Sequence, residues 1–214
     1  MTLFVRVVLF TFVKDLSIRV RYTQGDTTLA VAAYKVLLVG DASVGKSSLI
    51  RQLLLGEFDE DYTATVGVDL SAIALNIDTF TPVILTVIDL GGQASFDELR
   101  TKYYKGAHYA ILVYDITSME SFENIPYWLE GLTESIKTVD GRTLPCIVLG
   151  NKADMTHQRE VIPAIGRNYA DSHGFPFYET SAKTGFNVKD IFLRIARSLY
   201  ATYPPVHPKL PGKK

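Results

Sequence analysis

Apolar residues along this chain fall in short, nearly continuous runs, separated by segments where they recur every third or fourth position. Runs of the first kind suit strands buried on both faces of a parallel sheet, and spacing of the second kind suits helices that lay one side on such a sheet. The pattern predicts strands near 34–39, 68–77, 82–89, 109–115, 144–150 and 175–178, and helices near 46–55, 122–137, 162–173 and 188–202. Strands alternating with helices in this order imply an α/β fold: a six-stranded, mostly parallel sheet with helices on both faces. Asn76, Ile77, Asp78 and Thr79 read as a turn between two antiparallel strands. Tyr127, Trp128 and Leu129 read as one packed helical turn.

The first 33 residues carry a different pattern. Residues 16–22 alternate apolar and polar, as a half-buried strand does, and Gln24, Gly25 and Asp26 supply a turn. Residues 29–33 then run without a break into the first strand, which predicts a backward lengthening of that strand, paired antiparallel with 16–22. Residues 3–13 make a third strand candidate. The rival reading of 3–13 is a targeting peptide, but Arg6 interrupts it, it is too short to span a bilayer, and no clean small-residue cleavage pattern follows. The proline-rich stretch 204–214 reads as a flexible tail. The expected organisation is therefore a β-rich extension at 1–33, an α/β domain at 34–203 and the tail at 204–214.

The chemistry sits at the ends of the predicted strands. Residues 40–47 read GDASVGKS between the first strand and the first helix. A strand, a glycine-containing loop and a helix in that order turn backbone N–H groups toward an anion at the helix N-terminus, which makes Asp41, Ala42, Ser43, Val44, Gly45, Lys46, Ser47 and Ser48 a phosphate-binding set. Lys46 would reach the terminal phosphates and the Ser47 hydroxyl would ligate Mg²⁺. This is a P-loop NTPase arrangement. Residues 151–154 read NKAD after another apolar run. An aspartate there, Asp154, can accept from guanine N1–H and the 2-amino group together, a pair of donors adenine lacks, so GTP and GDP are favoured over ATP. Asn151 belongs to the same loop, Lys152 would lay its stem along the base, and Ser181, Ala182 and Lys183 form a second base-side loop. Between these motifs, residues 87–93 end a strand with D-x-x-G-Q. That puts Asp89 near the Mg²⁺ shell through water, the Gly92 N–H near the γ-phosphate and Gln93 beside it. Thr65 offers a second hydroxyl ligand to the metal in the triphosphate state.

These stretches resemble, in order, the motifs of the Ras superfamily of small GTPases, over residues 34–203. GDASVGKSSL, YTATVGVDL at 62–70, DLGGQ at 89–93, YYKGAHYAILVYD at 103–115, NKAD and ETSAK carry the likeness, which is closest to the Rab branch. The resemblance implies a switch cycling between GTP and GDP with Mg²⁺, slow hydrolysis with Gln93, Lys46 and Gly92 in the catalytic set, and partners (effector, exchange and activating proteins) that read regions 58–70 and 89–104. It also implies that Phe58 meets the guanine edge-on, although a role as a hydrophobic staple into the core is an equal reading of the residue itself. The chain departs from the Rab pattern at Ile88, where Rabs have tryptophan. Leu90, Gly91 and Gly92 are nearer the double glycine of the Arf branch, and Ala42 stands where Rabs often have Ser and Ras has Gly. The second function class is an assembly subunit in which bound nucleotide mainly stabilises the fold and the extension mediates interaction.

Composition narrows the partners. The chain has 214 residues, 47% hydrophobic, with net charge −1, and a sequence pI of about 6.4. That is enough for one well-buried α/β domain and offers no basic footprint for nucleic acid or anionic lipid. The single cysteine, Cys146, falls in a predicted core strand, which points to a reducing compartment and a cytoplasmic location. The four histidines are scattered, so no zinc site is expected. The tail has no cysteine for prenylation and residue 2 is Thr, so no direct lipid anchor is expected and any membrane association would run through a partner. Residues 1–33 are expected to offer a surface to a partner or a second copy.

Overall fold

The computed structural model describes residues 20–24, 27–58, 67–91, 102–136 and 144–205, with side chains from residue 31 onward. Seven strands are found among them: β1 (Val20–Gln24), β2 (Thr27–Val39), β3 (Val68–Asn76), β4 (Pro82–Leu90), β5 (Tyr109–Asp115), β6 (Cys146–Asn151) and β7 (Phe177–Glu179). The helices are α1 (Lys46–Leu55), α2 (Met119–Glu123), α3 (Ile125–Ser135), α4 (Pro163–Ser172) and α5 (Val188–Thr202). Six strands run in the order β3-β4-β2-β5-β6-β7, and β1 pairs with β2 off that path. β2 pairs parallel with β4 and β5, β5 with β6 and β6 with β7, while β3 and β4 are antiparallel. This is the six-stranded, mostly parallel sheet the pattern predicts.

Alternation along the central strand divides the core into two layers. Val36 and Leu38 of β2 pack with Leu49 and Ile50 of α1 and with Ile191, Phe192, Ile195 and Leu199 of α5. Their neighbours Leu37 and Val39 pack on the opposite face with Ile125, Trp128 and Leu132 of α3 and Ala170 of α4. Because β2, β4, β5 and β6 are covered on both faces, their buried stretches are mostly apolar, with Lys35 and Thr86 as buried polar interruptions, and each fully buried Val, Leu or Ile contributes about 1.5 to 3 kcal/mol. Cys146 lies inside this core, 3% exposed, and burial pushes its thiol up to about 12, too high for a nucleophile. Among the described residues no helix is long and apolar enough to cross a membrane.

Two expectations shift. The helix expected over 122–137 is two helices, with Asn124 at once the C-cap of α2 and the N-cap of α3. The chain starts helical earlier because the Ser118 hydroxyl accepts from Ser121 N–H, and restarts because a proline, Pro126, occupies the first turn of α3. Within α3, Trp128 is buried and Leu129 is half-buried, but Tyr127 is 51% exposed and so is not part of a packed turn.

The hairpin before the nucleotide domain is also present in the backbone. β1 runs antiparallel to the lengthened start of β2 with Val20 opposite Val31 and Gln24 opposite Thr27. Gln24, expected in the turn, is the last residue of β1; residues 16–19 of the expected strand, residues 25–26 of the turn and the third strand candidate at 3–13 lie outside the described residues. At the far side of the sheet, residues 77–80 close β3 onto β4, fixed by Ile77 N–H to Thr81 O at 3.0 Å and by Phe80 N–H to the Asp78 carboxylate at 2.8 Å.

Candidate functional site

The C-terminal ends of β2, β4, β5 and β6 all open on one rim, the usual place for ligands in an open α/β sheet. Residues 40–45 leave β2 there and enter α1. Gly40 has φ of 143° and Gly45 has φ of 91°. Neither could carry a side chain: a Cβ on Gly40 would lie 2.1 Å from the Val113 carbonyl oxygen, and one on Gly45 would lie 2.4 Å from Asn151 Nδ2. The loop is thereby pressed against β5 and β6. Gly45 is also the N-cap of α1 and supplies no side-chain cap, so the helix dipole and the first-turn amides are shaped for an anion.

Lys46 is 6% exposed, and its ammonium is oriented by two donations, to Gly40 O at 2.9 Å and Asp41 O at 2.7 Å. A buried lysine held by carbonyls of its own loop is a fixed positive charge at the loop's centre, suited to phosphate oxygens. Beside it, the Ser47 hydroxyl donates directly to Asp89 Oδ2, and Asp89 is completely buried at the end of β4. A hydroxyl and a carboxylate brought together from α1 and β4 form a hard-oxygen pair that fits Mg²⁺. Among the described residues no three His, Cys, Asp or Glu side chains gather as a cage, and an ion bound chiefly to substrate phosphates needs none.

The second half of the rim comes from β6 and β7. The buried Asn151 ends β6; its Nδ2 donates to Val44 O at 2.9 Å and its Oδ1 accepts from Thr180 Oγ1 at 3.1 Å. One amide thus ties the phosphate loop to the loop after β7. Lys152 follows in left-handed conformation, φ 66°, and its ammonium pairs with Asp115 Oδ2 at 2.6 Å. Asp154 is exposed, and its carboxylate accepts from the buried Ser181 hydroxyl, which in turn accepts from Thr184 N–H at 3.1 Å. Ala182 is buried beside it, and Lys183 reaches across to Phe58, with its ammonium 5.9 Å above the ring. Phe58 is 39% exposed, which rules out the core-staple reading. Ala42 and Ser43 stand exposed at the loop tip, Ser43 with φ of 64°.

The structure brings together Asp41 to Ser48, Asp89, Asn151, Lys152, Asp154 and the 181–183 loop. Thr65, Gly92 and Gln93 lie outside the described residues, as does most of regions 58–70 and 89–104. The bases of those two regions do meet, because Gly91 N–H donates to Gly67 O at 2.9 Å. Sequence reading missed Asp115 and Thr180, which hold Lys152 and Asn151, and missed Asn124 and Trp128, which donate to Asp41 at 2.7 Å each. Only Trp128 carried a signal: a buried indole N–H needs an acceptor.

A sequence model of the Ras family matches residues 35–201. The chain is also similar to the GTP-binding protein YPTM1 of Zea mays, 37% identical over 166 residues that span 78% of this chain and 77% of that one. A phosphate loop, a buried lysine, a metal-suited oxygen pair and a carboxylate-bearing base loop stand on one rim, so the match has a physical counterpart at the motifs that the described residues include. The chain belongs to the Ras superfamily as a Rab-like GTP-binding protein.

Proposed function

We propose that this protein is a switch that alternates between GTP and GDP with Mg²⁺, hydrolyses GTP slowly, and acts in the regulation of intracellular trafficking or another membrane-associated process. The observation that carries the reading is the Asn151 amide, which locks the phosphate loop to the base loop at fixed distance. Two recognition elements held rigidly together are what a nucleoside phosphate requires.

Ser47, Thr65 and Asp89, the last through water, would hold Mg²⁺. When bound, the ion supplies positive charge against the phosphate oxygens. Lys46 and the amides of residues 41–48 hold the phosphates. Asp154 reads guanine, Lys152 and Phe58 flank it, and the Ala182 N–H meets its O6. Gln93 orients the attacking water while Lys46 and the Gly92 N–H stabilise charge on the transferring phosphoryl group. No arginine lies in the loop before Thr65, so unaided turnover is on the order of 10⁻⁴ to 10⁻³ per second, the scale of small GTPases acting alone. A partner would supply the missing charge, and the Ala42 methyl would crowd its entry.

The trafficking role rests on the Rab-like segment 62–70, and the cytoplasmic location on the single buried thiol. Effector, exchange and activating proteins would read regions 58–70 and 89–104, where GTP orders the loops and hydrolysis releases them. The division at residue 33 rests on the sequence pattern, since β2 itself runs unbroken from Thr27 to Val39, and the extension would serve as a partner or homodimer surface; unchanged mass, solubility and stability after deletion of residues 1–27 would remove that role. The function itself is tested by single-turnover GTP hydrolysis: Gln93→Leu keeps nucleotide binding and lowers the rate, and equal rates would take Gln93 out of the mechanism.

A further inference from the structure

Asp41 is part of the phosphate loop, yet its carboxylate is taken up by the helix layer. Oδ2 accepts from Asn124 Nδ2 at 2.7 Å and Oδ1 accepts from Trp128 Nε1 at 2.7 Å. Its own carbonyl oxygen accepts from the Lys46 ammonium, also at 2.7 Å. One residue therefore joins α3 to the cation at the centre of the loop.

The two donors differ in how firmly they are placed. Trp128 is 2% exposed, in one stripe with Ile125 and Leu132 that packs on Leu37, Val39 and Leu112 of the sheet, so its indole N–H cannot drift without disturbing the core. Asn124 sits at the joint between α2 and α3, its backbone fixed by donation to Glu120 O at 3.0 Å. Hydrogen bonds to an ionised carboxylate are the stronger kind, and two of them on one carboxylate fix its plane. Ala42 and Ser43, which follow Asp41 at the loop tip, are exposed and give it no packing, so an anchor from outside sets where the Asp41 carbonyl, and hence Lys46 Nζ, stands.

We propose that Asn124 and Trp128 are positioning residues: they hold Asp41, and through its carbonyl the Lys46 ammonium, in the place from which it grips the nucleotide phosphates. This rests on the guanine-nucleotide reading of the pocket. Each acts through the loop, by its hydrogen bond to the Asp41 carboxylate.

The test measures release of the fluorescent analogue mant-GDP from the full chain in the presence of Mg²⁺ and excess unlabelled GDP. Trp128→Phe keeps most of the buried ring and deletes the donor. Release is expected to quicken on the order of tenfold, the scale of one lost hydrogen bond to a charged group. In an Asp41→Asn background the same change should add less than about twofold, because the contact it removes is already broken. A role in core packing alone predicts the same factor in both backgrounds, and that result, or an unchanged release rate, would overturn the inference. Asn124→Ala, at a half-buried position, carries the same comparison if Trp128→Phe fails to fold. Trp128 is the chain's one tryptophan, so Asp41→Asn should also shift its emission; unaltered emission counts against the contact. If the wild-type chain holds no mant-GDP, the pocket reading fails and the inference with it; if wild type holds it and every variant releases it alike, only the inference fails.

Discussion

The two halves of the pocket meet at Asn151 but are built by opposite means. On the phosphate side the shape lies in the backbone: Gly40 and Gly45 adopt left-handed angles in places where a methyl group would strike the Val113 carbonyl or the Asn151 amide. On the base side the shape lies in side chains: Asn151 with Thr180, Lys152 with Asp115, Asp154 with Ser181, and Arg159 with Glu179. A phosphate offers oxygens in every direction and is met by many amides, whereas a base offers a few donors and acceptors in one plane and is met by a few placed groups. The phosphate side should therefore respond to changes of backbone freedom, and the base side to changes of single polar atoms.

The largest expected effect tests the base side. Asp154→Asn leaves the fold intact and weakens GTP binding on the order of 10⁴-fold, with xanthine nucleotides gaining in its place; titration calorimetry with both nucleotides reads this, and an unchanged preference removes Asp154 from base recognition. Next comes Gly40→Ala on the phosphate side. Left-handed strain together with a Cβ 2.1 Å from a backbone oxygen costs about 2 to 6 kcal/mol. A thermal melt should fall sharply or show no folded protein, and a loss under about 1 kcal/mol would mean the loop is not pressed on β5.

Smaller changes sharpen the contrast. Thr180→Val leaves one acceptor of the buried Asn151 amide unpaired, at a cost of about 1 to 2 kcal/mol, seen in urea unfolding together with weaker nucleotide binding; lost stability with unchanged affinity would mean the two loops are not held through Asn151. Arg159 donates to Glu179 through both terminal nitrogens, at 2.6 and 3.0 Å, and that pairing holds its guanidinium above its ordinary value. Because the pair stays partly in water, Arg159→Ala costs only about 1 kcal/mol, again by urea unfolding.

The smallest effect lies at the other ends of the strands, away from the rim. His108 Nδ1 accepts from Lys35 N–H at 3.0 Å, with the Tyr34 and Tyr203 rings edge-on to the imidazole. Burial, then the nearby Lys35 ammonium, hold His108 below its ordinary 6.5. The unfolded chain then binds the proton more readily, so this group's contribution to stability is lost as pH falls below 6.5. Urea midpoints at pH 7.5 and 5.5 should differ more in wild type than in His108→Gln, with no matching change in nucleotide affinity; equal differences would contradict the shift.

The sequence revealed these two constructions unequally. α1 and α5 have the predicted bounds because their limits are local: Gly45 precedes one and Gly56 ends it in left-handed conformation, and α5 carries an unbroken stripe from Val188 to Leu199. The sheet was legible because runs buried on both faces have no polar phase. The phosphate loop was legible because its motif is contiguous and encodes backbone. What stayed hidden are contacts between residues distant in the chain, Thr180 on Asn151, Asp115 on Lys152, and Asn124 and Trp128 on Asp41, which only the sheet order brings together. The break at Asn124 had a visible sign in Pro126, but apolar periodicity carried across it.

The account's central claim is that this rim holds a guanosine phosphate. Denaturing the purified protein and identifying the released compound by mass spectrometry tests it most directly. The account predicts GDP or GTP in near one-to-one amount; an adenine nucleotide, or no nucleotide together with a melting temperature that added GTP and Mg²⁺ leave unmoved, would contradict it.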